Sequence, residues 1–430
     1  MYLTMRTVWL LAAALVAIVA VPRPLTAVVW SSVVALLVGV DVLAAPSPRQ
    51  LRVERRVPPS VRLGESVSTT LTVTNTGSRP VSVLVRDAWP PSAGSTRERS
   101  SLSIPAGERR RSRTTLTPSR RGDRRADLVS VRVLGPLGLA GRQASLLAPA
   151  TVRVLPAFRS RRHLPSRLAR LREMDGRSAV MVRGAGTEFD SLREYVVGDD
   201  VRSIDWFSTA RRAEVLVRTW RPERDRRVLI VIDSGRLAAA RLDDEPRIDA
   251  QIEAALLMAA LATRAGDRVD LLAVDSRSRV QVRGESGPAL MSALANALAP
   301  LEPSLTETDW ALVASSTESI LSQRALVVVL TALDGSGAHA GMLRALASLS
   351  RSHTVVIASV SDPGLARLSA ERSDTDRVYI AAAAERDLIE LEAVRARLRR
   401  AGVEVVEAGP GEIAPALADT YLALKAAGRL

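Results

Sequence analysis

Two consecutive apolar runs, Leu3–Val21 and Leu25–Ala45, separated only by Pro22-Arg23-Pro24, constrain this chain before anything else does. Each is close to the ~20 residues that a helix needs to cross a hydrocarbon layer. So short a connection makes residues 1–45 a transmembrane helical hairpin. A secretory signal peptide is the rival reading, because Arg6 followed by an apolar stretch imitates one; a second apolar run directly after the first favours the hairpin. Arginine placement predicts orientation. Arg6 precedes the pair, Arg23 stands alone in the turn, and Arg49, Arg52, Arg55 and Arg56 follow it. The excess at the ends puts both termini and the soluble domains on the cytoplasmic side of the plasma membrane.

The remaining charge is unevenly spread. Residues 46–182 hold 27 Arg against 9 Asp and Glu, a net of +18, whereas residues 183–430 hold 31 Lys and Arg against 36 acids, a net of −5. A basic segment beneath an anionic leaflet gains about 1 kcal/mol per Arg near the surface. The arginine clusters lack the interleaved aromatics that stack nucleobases. Anionic lipid, and no nucleic acid, is therefore the partner expected of residues 46–182, with a solvated basic face as the alternative. Cysteine is absent, and His163, His339 and His353 lie far apart. Neither disulfides, thiolate chemistry nor a His-based zinc site is expected.

A chain of 430 residues exceeds what one core usually serves. Residues 50–155 alternate apolar and polar positions around "NTGSRP", with further short strands expected near Arg113–Thr117, Leu128–Leu134 and Thr151–Leu155 and a loop at "GPLGLAGR". That pattern predicts an immunoglobulin-like β-sandwich. An Arg-rich linker is expected over 156–182. From residue 183 to 430, apolar strands such as "RRVLIVIDSG" alternate with helices at Ile248–Thr263, Pro288–Ala299, Trp310–Leu321, Met342–Leu349, Leu388–Arg400 and Ile413–Ala426. Buried strands alternating with helices predict a doubly wound parallel sheet. Its ligands would bind at the carboxyl ends of the strands.

The densest chemistry lies in "EFDSLREYVVGDDVRSIDWFSTARR", Glu188 to Arg212. Its candidate interaction residues are Glu188, Phe189, Asp190, Leu192, Arg193, Glu194, Tyr195, Gly198, Asp199, Asp200, Arg202, Asp205, Trp206 and Arg211. Three readings compete. Paired carboxylates such as Asp199–Asp200 with Glu194 could serve acid–base or metal chemistry. A structural network is the second, with Ser191–Val196 as a helical turn and 214–220 as a strand pairing back on "RVLIVID". In it Arg193, Arg202 and Arg211 bond Asp190, Asp200 and Asp205 while Tyr195 and Trp206 pack over the sheet. The third is a docking surface, since Arg and aromatic residues are enriched in interface hot spots. No nucleophile elbow, phosphate loop or dinucleotide fingerprint accompanies the stretch.

The order of hairpin, sandwich, this motif with its "LREY", "GDD", "IDW" and "AR" elements, and an α/β domain resembles the domain-of-unknown-function 58 family. The resemblance implies a von Willebrand factor type A-like domain and, as partner, a MoxR-type AAA+ ATPase for which the protein acts as adaptor. It also implies a metal-ion-dependent adhesion site with an Asp-x-Ser-x-Ser signature, a loop Thr and a later Asp, holding magnesium through hard oxygen ligands. Here Asp233 stands first, but Gly235 and Leu237 replace the two serines. Thr308 matches the loop threonine, Ala332 stands where an Asp is expected, and Asp334 comes two residues late; Arg236 is expected beside Asp233. The site is read as degenerate, with no cofactor expected and magnesium at Asp233, Thr308 and Asp334 the one candidate. The functional expectation is a membrane-anchored, non-enzymatic adaptor or scaffold. Its alternatives are a cell-envelope organising factor acting without an ATPase, and a hydrolase using the acidic cluster at 188–205.

Overall fold

A computed structural model describes residues 1–181, 188–212, 214–221, 226–242, 245–334 and 340–430, without the side chains of 175–181, 188–191 and 219–221. The chain is multidomain, with compact units Met1–Ala157 and Phe158–Leu430.

The first unit opens with helices Met5–Ala20 and Pro24–Ala44. Pro24 suits the first helical turn, where its missing N–H is not needed. The stretch Pro24–Gln50 is long and apolar enough to cross a membrane, and Met5–Ala20 is a shorter apolar helix. The two pack together: the Trp30 indole donates to the Leu10 carbonyl at 2.9 Å. Near the end of the second helix the fully buried Asp41 carboxylate accepts from the backbone N–H groups of Leu137, Leu139 and Ala140 at 2.7, 2.8 and 2.8 Å. At the start of the first helix the Thr4 and Thr7 hydroxyls donate to the Leu139 carbonyl. Both ends of the helix pair thus meet one turn, which is the "GPLGL" segment expected as a loop. Gly135 is obligatory there, because any Cβ would run into the Asp41 carboxylate.

That turn joins Gly122–Leu134 to Ala140–Leu155 in a six-stranded sheet with Tyr2–Leu3, Val81–Asp87, Arg99–Ile104 and Ser60–Arg62. A four-stranded sheet runs Leu51–Arg56, Val67–Asn75, Arg109–Leu116, Ser95–Thr96. Alternation sorts the faces. Val81, Val83 and Val85 meet Leu71, Val73, Val129, Val131 and Val133 in the core between the sheets. The strands run longer than their apolar cores suggest, because exposed arginines continue the ladders. The Arg55 side chain is buried: it pairs with Asp87 at 2.7 Å, donates to the Ala126 carbonyl at 2.6 Å and lies over the Trp89 ring.

The second unit begins with helix Leu164–Met181, whose Leu171 is buried in the α/β core beside Leu164, Leu168 and Met174. The stretch expected as an Arg-rich linker is therefore largely a docked helix. Its apolar positions 164, 168 and 171 recur at helical spacing within the basic run and supply the face that packs. The central sheet, numbered within itself, has β1 (Arg227–Asp233), β2 (Arg268–Val274), β3 (Ser278–Val282), β4 (Leu326–Thr331), β5 (Thr354–Val360) and β6 (Glu404–Ala408). The spatial order is β3-β2-β1-β4-β5-β6. All neighbours are parallel except β3, which turns back on β2. The apolar run of β1 is buried on both faces, as parallel sheets require. Val228, Ile230 and Ile232 face the core formed with helices Arg247–Arg264 and Ile413–Ala426. Leu229 and Val231 face the core formed with Trp310–Ile320, Ala340–Ser352 and Thr375–Arg400. The last of these starts well before the expected Leu388, because Asp374 caps it by accepting from the Arg377 N–H at 2.8 Å.

Arg55→Ala should destabilise the sandwich by about 3–5 kcal/mol, since it leaves Asp87 buried and without its cation. Hydrogen exchange of strands Val67–Asn75 and Gly122–Leu134 in the full chain reads this directly. A loss below about 1 kcal/mol would mean the pair is structurally dispensable.

Candidate functional site

The densest polar stretch folds as a hairpin. Glu188–Glu194 is a strand paired antiparallel to Leu216–Arg221, with an irregularity between Phe189 and Ser191. Ser191–Val196 is thus not a helical turn, and 214–220 pairs with the start of its own motif rather than with β1. Period-two alternation over so few residues is too short to separate strand from helix. Between the strands Gly198 takes φ +111°, a left-handed conformation suited to glycine, and starts the Gly198-Asp199-Asp200 turn.

The carboxylates of this turn bind their own loop. Arg193 makes a bidentate pair with Asp199, at 2.7 and 2.6 Å, and Asp199 also accepts from the Val196 N–H at 2.9 Å. Asp200 accepts from the Arg202 N–H at 3.0 Å and opens a short 3-10 turn. Asp205 accepts from the Ser208 N–H at 2.9 Å, capping helix Trp206–Arg212, and from Arg218 Nε at 2.8 Å. The Ser208 N–H first, and Arg218 second, hold the Asp205 carboxyl below its ordinary range. Two of the expected pairings are corrected: Arg193 takes Asp199, and Asp205 is paired with Arg218, not Arg211. Arg211 instead lies over the Phe207 ring at 4.5 Å. Arg202 meets Asp200 through its backbone. Arg218 was not among the candidates; it could be found only once the hairpin register placed position 217 opposite 193 and brought 218 beside the turn. The side chains of Glu188, Phe189 and Asp190 lie outside the described residues.

With the polar groups turned inward to their own backbone, the apolar ones face out. Trp206 is 66% and Phe207 68% exposed, and Val196, Val197 and Val201 are exposed beside them in sequence. Trp206, expected to pack over the sheet, is thus exposed instead, and Tyr195 is half-buried.

The second candidate lies at the carboxyl end of β1 and β4. Asp233 is buried, and its carboxylate accepts from the Thr308 hydroxyl, from the Thr331 hydroxyl at 2.5 Å and from the Gly235 N–H at 2.9 Å. Burial pushes its pKa up, against the three hydrogen bonds that favour the charge. The loop carrying Thr308 is held from below: Ser304 N–H donates to Ser234 O at 2.8 Å, and Arg236 N–H to Thr306 O at 2.9 Å. The guanidinium of Arg236, expected beside Asp233, pairs with Glu307 at 2.7 Å. Arg247, missed from sequence, is partly buried near this edge: burial lowers its pKa while Asp362, Asp334 and Asp233 favour its charge.

A small cleft at this edge is lined by Asp233, Arg236, Glu307, Thr308, Trp310 and Asp334. The structure does bring Asp233, Thr308 and Asp334 to one cleft. The Thr308 and Thr331 hydroxyls both donate to Asp233, and a Cβ at position 235, which a serine ligand would need, would run into the Thr308 hydroxyl. Among the described residues no cluster of three His, Asp or Glu is placed to hold a metal.

The family described as "Protein of unknown function DUF58" matches residues 191–407, from the hairpin to β6. Uncharacterized proteins Rv1480 of Mycobacterium tuberculosis (strain H37Rv) and Mb1516 of Mycobacterium bovis are each similar at 26% identity over 186 residues, 43% of this chain and 57% of theirs. The chain thus spans little more than half the length of these relatives. The CARDB domain of the PF1109 protein from Pyrococcus furiosus is similar at 21% identity and a TM-score of 0.20, over 24% of this chain and 87% of that one. A chain of the complex between zinc 2-glycoprotein and prolactin inducible protein from human seminal plasma gives 14% identity and a TM-score of 0.20, over 24% of this chain and 92% of that one. Scores so low leave the sandwich resting on its own strand order.

For Asp233 the sign of the pH effect follows from burial. Its folded pKa is raised above the unfolded value of about 3.9. Its contribution to stability is complete below that value and is lost as pH rises through the folded pKa. Asp233→Asn should therefore gain stability relative to the parent as pH rises from about 4, measured by urea unfolding at a series of pH values. A difference that stays flat with pH would show that Asp233 ionises as easily in the fold as in the unfolded chain.

Proposed function

This chain belongs to the family described as Protein of unknown function DUF58, and from that premise we propose that it is a membrane-anchored, non-enzymatic adaptor that engages a MoxR-type AAA+ ATPase or its client. In this reading both N-terminal helices are spans, the termini and soluble units are cytoplasmic, and the α/β unit is von Willebrand factor type A-like. The observation that carries the reading is the exposure of Trp206 and Phe207 on a hairpin braced by Arg193–Asp199 and Asp205–Arg218. Large aromatics exposed on the first turn of a short helix are the side chains from which interface hot spots are made. A loop stabilised for its own sake would turn those rings inward.

The strand order β3-β2-β1-β4-β5-β6, with β3 antiparallel, supports the type A-like assignment. The self-satisfied Asp233 supports a domain that works without magnesium. A hydrolase needs carboxylates free to exchange protons with a substrate, whereas Asp199 and Asp200 accept hydrogen bonds from their own turn. The envelope-factor alternative uses the same exposed surface with a different occupant.

Two measurements test this. Crosslinking in the native membrane, followed by affinity purification and mass spectrometry, should recover an AAA+ ATPase with the parent chain and lose at least about tenfold of it, 1.4 kcal/mol, with Trp206→Ala/Phe207→Ala. Equal recovery from both chains would remove the hairpin from the interface, and recovery of cell-wall proteins alone would favour the envelope reading. Titration calorimetry with magnesium should give no binding heat that depends on Asp233; heat abolished by Asp233→Ala would restore the metal site.

A further inference from the structure

The first unit carries a feature that the adaptor reading does not use. Its loops nearest the exit of the apolar helix converge on residues 47–50. Thr76 donates through its N–H and its hydroxyl to the Gln50 carbonyl, both at 2.8 Å. The fully buried Asn75 amide donates to the carbonyls of Arg79, Ile104 and Pro105 at 2.7, 3.2 and 3.2 Å, drawing the 76–80 and 104–108 loops together. In the four-stranded sheet Arg52 stands opposite Thr74, and Thr74 opposite Arg109, so both arginines share the outer face at that same end.

Arg49, Arg52, Arg79 and Arg109 are thereby gathered on one rim, all exposed, and among the described residues none of their guanidiniums has a carboxylate partner. Glu108, the acid at this rim, is taken by Arg110 at 2.8 Å. The rim is also held in place relative to the helix that ends beside it. Asp41 fixes the helix to the Leu137–Ala140 turn, and Arg142 Nε donates to the Val42 carbonyl at 3.0 Å. A helix long enough to cross a bilayer delivers these four cations to the headgroup layer, where a guanidinium binds a phosphate oxygen pair in a fork.

We propose that Arg49, Arg52, Arg79 and Arg109 form a binding rim for the phosphates of anionic phospholipids in the same bilayer that holds the apolar helix. The inference rests on the membrane-anchored reading above. It narrows a basic segment to four residues brought together by tertiary structure.

The test uses the full chain in lipid nanodiscs made of phosphatidylcholine, with or without phosphatidylglycerol. Hydrogen exchange of peptides covering 49–52, 76–80 and 104–110 should slow in the anionic disc, and the slowing should vanish in Arg49→Gln/Arg52→Gln/Arg79→Gln/Arg109→Gln. The corresponding Arg→Lys variant, which keeps the charge, should retain part of it. Equal exchange in both discs, or slowing that survives the Gln variant, would overturn the proposal. The same slowing produced by a DNA duplex or inorganic pyrophosphate added to phosphatidylcholine discs would assign the rim to a soluble polyanion instead. Carbonate extraction separates the two levels: release of the chain from membranes defeats the anchor and the rim together, whereas retention with an indifferent rim defeats only the lipid inference.

Discussion

A carboxylate buried at the carboxyl edge of a parallel sheet must be hydrogen-bonded, paired or neutralised, and the functional edge of the α/β unit is arranged around meeting that demand at Asp233. Two hydroxyls and one backbone N–H converge on it from three places in the chain: Thr308 in the loop after helix Gly287–Leu298, Thr331 at the end of β4, and Gly235 in the turn that follows β1. Satisfying the charge this way pins the 304–309 loop across the strand ends. That loop in turn places Asp309, whose carboxylate accepts from the Ala311 and Leu312 N–H groups, both at 3.0 Å, to start the next helix. Absence of a side chain at 235 is part of the arrangement, since the Thr308 hydroxyl occupies the space of a Cβ.

The same logic recurs at the hairpin. Asp199, Asp200 and Asp205 each accept a backbone N–H, so the turns are closed by acids that lie within a few residues of the donors they satisfy. The cations Arg193 and Arg218 come from the two strands and tie the loop to the ladder. A turn closed from within does not need its aromatic side chains for stability, which leaves Trp206 and Phe207 available at the surface.

In the first unit the buried Asp41 does a different task. Asp41 sits within the apolar helix, where an unpaired charge would be costly. Three N–H groups of one turn satisfy it, and the Thr4 and Thr7 hydroxyls bring the other helix to the same turn. Helix pair and sandwich are joined through hydrogen bonds that a flexible tether would not make.

Much of this was legible in the sequence. The apolar helices at the N-terminus, the alternating strands of 50–155 and the strand–helix alternation after residue 226 all follow from periodicity, because burial on one face, or on both, writes itself into spacing. What the sequence could not decide was pairing. Whether Arg193 meets Asp190 or Asp199, whether 216–221 joins β1 or the motif's own first strand, and whether Leu164, Leu168 and Leu171 sit in a linker or in a core depend on which segments come together. A charged or apolar side chain has several partners of similar local merit within reach. Tertiary structure chooses among them, because a buried polar group left unsatisfied costs more than any single local preference can return.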